Sequence, residues 1–139
     1  MANYNGGKYL SEAIQSVLDQ HFKDFEFIIV DDGSTDDSPA TIGSFSQRHP
    51  DTIRTLLERG GEGQGGAMKH RVALSKGRFI CFVDSDDVWY ADKLQRLAGL
   101  IGRARKSAIY QHNLYKWRNG AETKDRYRAL LLSGEVFQH

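Results

Sequence analysis

The sequence predicts an α/β fold, an open and mostly parallel sheet flanked by helices. Strand-length apolar runs, FEFIIV at 25–30 and FICFV at 79–83, alternate with segments of helical periodicity. Glu26 aside, both runs are continuously apolar, the pattern of parallel strands covered on two faces. Both also end abruptly in carboxylates, Asp31-Asp32 and Asp84-Ser85-Asp86-Asp87, where an open parallel sheet opens its ligand crevice.

Taken in order, Leu10, Ala13, Ile14, Val17 and Leu18 predict an amphipathic helix over 8–20. After the strand at 25–30, Asp31-Asp32-Gly33-Ser34-Thr35-Asp36 supplies turn chemistry and N-caps for a helix near 36–48, whose apolar face of Ile42 and Phe45 is weak. Ile53 to Leu57 is a third, shorter strand. The glycine-rich GGEGQGG at 60–66 leads into a helix through about Lys76, with Gly77 as its C-cap and Arg78 to Val83 as the next strand. Leu94, Leu97, Leu100 and Ile101 mark a long helix capped by Asp86 or Asp87. Beyond 106 the pattern weakens: AIYQHNLYKW suggests a strand and a hairpin, Asn119-Gly120 a turn, and RYRALLL a short amphipathic piece. Residues 1–105 are therefore expected to form an α/β domain, and 106–139 the start of a further region.

The chain of 139 residues is one domain's worth and can bury about two thirds of its unfolded surface. Lys plus Arg number 19 against 18 Asp plus Glu, so the basic footprint of a nucleic-acid partner is missing. The single cysteine, Cys81, lies in an apolar run and reads as a buried thiol, leaving no pair for an internal disulfide. The apolar runs are too short to span a bilayer and no signal peptide opens the sequence, so a cytoplasmic location is expected.

Carboxylates as close as those at 84–87 repel, by about 4 kcal/mol per pair at 4 Å in an effective dielectric near 20. A cation belongs among them. An oxygen-rich set of two or three carboxylates suits Mg²⁺ or Mn²⁺, which keeps waters and shares its coordination with a ligand's phosphates. Asp32, at the neighbouring strand end, is free to accept hydrogen bonds from a base or ribose. The glycine-rich loop lets backbone amides approach phosphate oxygens.

The segments NYNGGKYLSEAIQSVLDQHFKDFEFIIVDDGSTDDS, GGEGQGGAMKHRVALSKG and FICFVDSDDVWYADKL, in that order, resemble the nucleotide-binding half of an inverting family 2 glycosyltransferase with the Rossmann-like GT-A fold, from Ala2 to about Leu100. The resemblance implies a nucleoside diphosphate sugar donor of the UDP or GDP type. By it, Ala2 and Tyr4 match the nucleotide-contacting end of the first strand, and Asp32 the carboxylate that binds the base. Asp84-Ser85-Asp86 is similar to the family's DXD motif, whose last aspartate holds the metal, Mn²⁺ or Mg²⁺, that bridges the diphosphate, with Asp87 taking or sharing that role; Lys69, outside the family pattern, reads as a solvated helix position in preference to a phosphate contact. It further implies attack by a hydroxyl of a glycan, lipid or protein acceptor with inversion, in polysaccharide biosynthesis, at the inner face of the membrane where the acceptor or further segments require it. The chain departs from the family pattern in three places. Ala67-Met68-Lys69-His70-Arg71 stands where Ala-Arg-Asn-x-Gly or Ala-Phe-Asn-x-Gly is usual. The first strand is cut down to Met1–Asn3, so it is expected to be truncated. The downstream catalytic base has no recognisable match in Glu122, Asp125 or Glu135, so none is assigned and transfer by this chain alone is expected to be poor.

Other chemistries fit parts of the sequence. Gly61-x-Gly63-x-x-Gly66 satisfies the dinucleotide fingerprint, with Asp84 about 20 residues on. An Asp-nucleophile, Mg²⁺-dependent phosphatase would use Asp84 to attack phosphorus and Asp86 as acid and base. A receiver domain would hold Mg²⁺ on Asp31 and Asp32, and a nucleotide-binding remnant would bind donor without transfer. Trp89 and Tyr90 read as helix packing in preference to an acceptor platform. The five histidines show no ligand spacing, and an EF-hand fails at Trp89 and Gln95.

Overall fold

A computed structural model of the chain describes residues 1–57, 72–103, 109–118 and 121–132. The elements are β1 (Ala2–Asn3), α1 (Gly7–Leu18), β2 (Phe27–Asp31), α2 (Ser38–Arg48), β3 (Ile53–Leu57), α3 (Lys93–Arg103), β4 (Ile109–Arg118) and β5 (Ala121–Leu132).

β1, β2 and β3 form a parallel sheet in that order, with Ala2 opposite Val30, Asn3 opposite Asp31, and Phe27 to Asp31 opposite Ile53 to Leu57. On its other side Ala2 bridges Asp84, again in parallel. The expected shortening of the first strand is therefore met by a strand of 2 residues, and Ala2 lies between β2 and the acidic segment. Hydrogen bonds at its start reinforce the short ladder: the Met1 ammonium donates to the Ile28 carbonyl (2.8 Å) and the Val30 amide to the Met1 carbonyl (3.0 Å).

The crossovers β1–α1–β2 and β2–α2–β3 step in the same direction across the sheet, which puts both helices on one face when the crossovers share a hand. Leu10, Ile14 and Val17 of α1 and Ile42 and Phe45 of α2 accordingly join Phe27 and Ile29 of β2, Ile53, Val83 and Trp89 in one core cluster. Side chains alternate along a strand, so Phe27, Ile29 and Asp31 share the helix face. That parity decides the fate of the first acidic pair. Asp31 falls in phase with the core and is 2% exposed, whereas Asp32, one residue on, is half-exposed.

Three boundaries differ from the sequence expectation. The helix before Gly77 ends by Ala73, where the Ser75 amide (3.2 Å) and hydroxyl (2.8 Å) both donate to the Val72 carbonyl; Gly77 has no positive φ and is not a left-handed cap. Residues 78–83 do not run as a continuous strand, and isolated bridges at Phe79 and Asp84 stand in its place. The two-residue β1 offers the segment a single partner, Ala2. α3 starts at Lys93, so neither Asp86 nor Asp87 caps it; Asp92 stands there, accepting from the Arg96 amide (2.9 Å) and side chain (2.6 Å).

Far from the acidic edge, at the start of β2, Glu26 gathers the chain after the glycine-rich segment. Its carboxylate accepts from the Lys76 and Gly77 amides and from Arg54 (3.0 Å), and Arg54 also donates to the Leu74 carbonyl (3.0 Å). Burial would raise the Glu26 pKa, but the Lys76 amide, Arg54 and the Gly77 amide outweigh it and hold the group below its ordinary value. A depressed carboxyl stabilises the fold above its unfolded pKa and loses that contribution as pH falls through the folded one. Glu26→Ala is expected to cost about 1–3 kcal/mol in urea unfolding at pH 7, since amides and a guanidinium lose a charged acceptor. The gap from the unmodified chain should close as pH drops below about 4.5.

β4 and β5 form an antiparallel pair from Ile109 opposite Leu132 to Arg118 opposite Ala121, with a bulge between Leu114 and Lys116. The expected hairpin is present, and residues 126–132 belong to its second strand instead of a separate short piece. The Asn119-Gly120 turn lies outside the described residues.

Candidate functional site

The two acidic strand ends meet at one edge. β2 ends at Asp31, β1 lies beside it, and the backbone of Ala2 joins both Val30 and Asp84. The Asp32 amide donates to the Asn3 carbonyl (3.0 Å), carrying the pairing one residue past the strand. One strand separates the two acidic clusters, and two inter-strand spacings place their backbones roughly 9–10 Å apart.

Beneath this edge lies a layer of fixed polar groups. Asn3, 3% exposed, donates through Nδ2 to Asp31 Oδ1 (2.6 Å) and Ser34 Oγ (3.1 Å). The Ser34 amide and hydroxyl donate to the two Asp31 oxygens (3.0 and 2.6 Å), and the Asn5 amide donates to Ser34 Oγ (2.8 Å). Asn5 adopts φ 51°, a left-handed conformation that asparagine tolerates, and its Oδ1 accepts from the Thr35 amide (2.9 Å). Gly33, at φ 75°, turns the chain between Asp32 and Ser34. Asp36 then closes two helices at once: Oδ2 accepts from the Gly7 amide at the start of α1 (2.9 Å) and Oδ1 from the Ser38 amide at the start of α2 (3.0 Å). The Ser38 hydroxyl and these amides hold the Asp36 carboxyl below its ordinary pKa.

Asp84, Asp86 and Asp87 are exposed on a turn closed by the Asp87 amide on the Asp84 carbonyl (3.2 Å), and Ser85 packs inward. A Cβ on Gly6 would strike Asn3 Oδ1 and come within 2.8 Å of Ser85 Oγ, so only glycine lets the start of α1 lie this close to the acidic turn. Among the described residues no group of three His, Cys, Asp or Glu side chains is gathered as a closed metal cluster. The donor chemistry nevertheless fits a hard divalent cation of the kind held by one or two carboxylates and completed by substrate phosphates.

Behind the turn, Trp89 is 8% exposed and Lys93 Nζ sits 3.7 Å from its ring centroid. Burial lowers the Lys93 pKa to about 8, against the opposing pull of Cys81 and Asp87. Burial likewise raises the Cys81 thiol, as expected of a packing residue. Trp89 thus belongs to the core, while Tyr90 is 62% exposed.

Of the predicted site residues, Ala2, Asp32, Asp84, Asp86 and Asp87 come together at one edge, joined through β1. Tyr4 follows β1 and is 65% exposed. Lys69 and the glycine-rich segment lie outside the described residues. The sequence reading missed Asn3, Ser34, Asn5 and Asp36 as the frame of the site. The available signal was the spacing Asp31-x-x-Ser34, a local side-chain-to-backbone turn pattern.

A parallel sheet flanked by helices, with carboxylates along one edge, defines an α/β domain of the Rossmann-like type. The chain belongs to glycosyl transferase family 2, whose family model matches residues 1–135. Glycosyltransferase alr2836 of Nostoc sp. is 40% identical over 112 residues, covering 81% of this chain and 34% of that protein. The Escherichia coli UDP-Glc:α-D-GlcNAc-diphosphoundecaprenol β-1,3-glucosyltransferase WfgD is 33% identical over 110 residues, covering 79% and 42%. The crystal structure of S. aureus TarS in complex with UDP superposes with a TM-score of 0.70 at 27% identity, over 78% of this chain and 32% of that one. The chain therefore spans between about a third and two fifths of the length of these relatives. The expected GT-A type fold is borne out, and the dinucleotide, phosphatase and receiver readings fall away.

Proposed function

We propose that residues 1–105 bind the nucleoside diphosphate sugar donor of an inverting, metal-dependent glycosyltransferase, and that 106–139 begin its acceptor side. The observation that carries this is the pairing of Ala2 with both Val30 and Asp84, which aligns a base-binding carboxylate and a cation-binding turn across one strand. WfgD, named for transfer from UDP-Glc, and TarS, crystallised with UDP, favour a uridine nucleotide.

In this reading Asp32 accepts hydrogen bonds from the base, and Ala2 and Tyr4 border the nucleoside. Asp86, with Asp84 and Asp87 beside it, would hold Mn²⁺ or Mg²⁺. When bound, the ion neutralises charge on the leaving diphosphate. Lys69 adds a positive charge to the phosphates. The Asp31–Asn3–Ser34 layer holds the edge still, so that the donor's anomeric carbon is presented to an acceptor hydroxyl, of a glycan, lipid or protein, in a fixed pose. No helix among the described residues is long and apolar enough to cross a membrane. We place the domain on the cytoplasmic side, where nucleotide sugars are available to it, with any membrane contact made through the acceptor or further segments.

Calorimetry with UDP and GDP tests the reading. Binding of one of them should tighten at least tenfold with Mn²⁺ or Mg²⁺, and Asp86→Ala should remove that gain, a loss equivalent to about 1.4 kcal/mol or more. Equal affinity with and without metal would overturn the assignment of the turn.

A further inference from the structure

The acidic turn is held at both ends. On its N-terminal side the tether is the bridge from Asp84 to Ala2. On its C-terminal side the chain from Trp89 to Leu94 is fastened to α1 and the residues just after it, by two side chains and one backbone amide distant in sequence. The Trp89 amide donates to Ser16 Oγ (3.1 Å), the His21 amide donates to the Ala91 carbonyl (2.8 Å), and Gln20 does the rest. Its Nε2 donates to the Tyr90 carbonyl (2.8 Å) and to the Ser16 carbonyl (3.0 Å), while its Oε1 accepts from the Leu94 amide at the first turn of α3 (2.9 Å). Gln20 is 0% exposed.

A buried primary amide is costly unless its polar atoms are satisfied, and this one is satisfied by backbone groups that lie outside any strand ladder. The result is a cross-brace. α1 touches the acidic turn near its own start, where Gly6 meets Ser85, and Gln20 just beyond its end fixes the chain leaving that turn. Residues 85–88 are the only ones left between the two tethers.

We propose that Gln20 is a positioning residue for the cation side of the donor site, setting where Asp86 and Asp87 stand without touching the ligand. The inference rests on the donor-site reading given above. A displacement of about an ångström in ligands of this kind is enough to spoil a bound geometry. Gln20→Met keeps the volume and removes the bonds to Tyr90 and Leu94, so the carboxylates lose their rear support while Asp32 and its neighbours keep theirs.

UDP is titrated into the unmodified chain and into Gln20→Met, each with and without Mn²⁺, below the unfolding midpoints of both. The expected result is a gain from Mn²⁺ that is at least fivefold smaller in Gln20→Met, with metal-free UDP affinity within twofold. A purely structural role would lower the midpoint and leave the gain unchanged, and that result overturns the proposal. If the unmodified chain shows no gain from Mn²⁺, the donor-site reading itself fails and this inference falls with it. Ser16→Ala removes the acceptor of the Trp89 amide, together with the hydroxyl's own bond to the Ala13 carbonyl (2.7 Å) within α1, and leaves Gln20 in place; it is the milder variant, expected to show a smaller loss in the same ratio. It carries the comparison if Gln20→Met does not fold, and an unchanged ratio in it then counts against the brace.

Discussion

Asp31→Ala should destabilise the chain by about 3 kcal/mol, whereas Asp32→Ala should change stability by about 0.5 kcal/mol or less. Asp31 is 2% exposed and accepts from Asn3 Nδ2, the Ser34 amide and the Ser34 hydroxyl. Alanine would strand these donors, and each buried unsatisfied group costs about 1–3 kcal/mol before relaxation, so the sum is reduced by whatever water can reach Ser34. Asp32 contributes its backbone amide to Asn3, a bond that side-chain truncation spares. Urea unfolding of both variants checks the stability difference. UDP titration should invert the ranking for Asp32→Ala, a near-normal fold with weakened nucleotide binding. Comparable stability losses for the two would mean that strand parity does not separate their roles.

Leu10→Ala should cost about 2–5 kcal/mol, the range for emptying a well-packed aliphatic site. Leu10 is 0% exposed on α1 and packs in the cluster that also contains Ile14, Ile29 and Ile42. Leu100→Ala on α3 is the control, because Leu100 is 51% exposed and should lose no more than about 0.5 kcal/mol. Chemical denaturation of the pair tests whether α1 is seated as firmly on the sheet as its role beneath the acidic turn requires.

The apolar architecture was legible because periodicity reports burial directly. Leu10, Ala13, Ile14 and Val17 gave α1, and the apolar run ending at Val30 gave β2, each to within a few residues. The convergence of Asp32 with Asp84 was also legible, since parallel strands with helical crossovers must align their carboxyl ends. What could not be read was pairing between polar groups far apart in sequence. Gln20 looks like a helix-terminal surface residue until Tyr90 and Leu94, 70 and 74 positions away, are brought against it. For the same reason the start of α3 was misplaced: Asp86 and Asp87 are good caps locally, but Ser16 and Gln20 hold residues 89–94 in a connection that delays the helix to Lys93. Asp31 was half legible. Its phase with Phe27 and Ile29 marks it as inward, though its partners Asn3 and Ser34 emerge only from the fold.

Neither α1 nor α2 has a capping side chain at its own N-cap residue, and Asp36 serves both of their first turns. Segments of 12 and 11 residues are marginal as isolated helices in water. The bond to Ser38 is local, two residues along the chain, whereas the bond to Gly7 reaches back across 29 positions, so the first turn of α1 depends on the loop that opens α2 being in place. Disturbing that loop should consequently loosen both crossovers, while disturbing the start of α1 leaves the opening of α2 its own carboxylate.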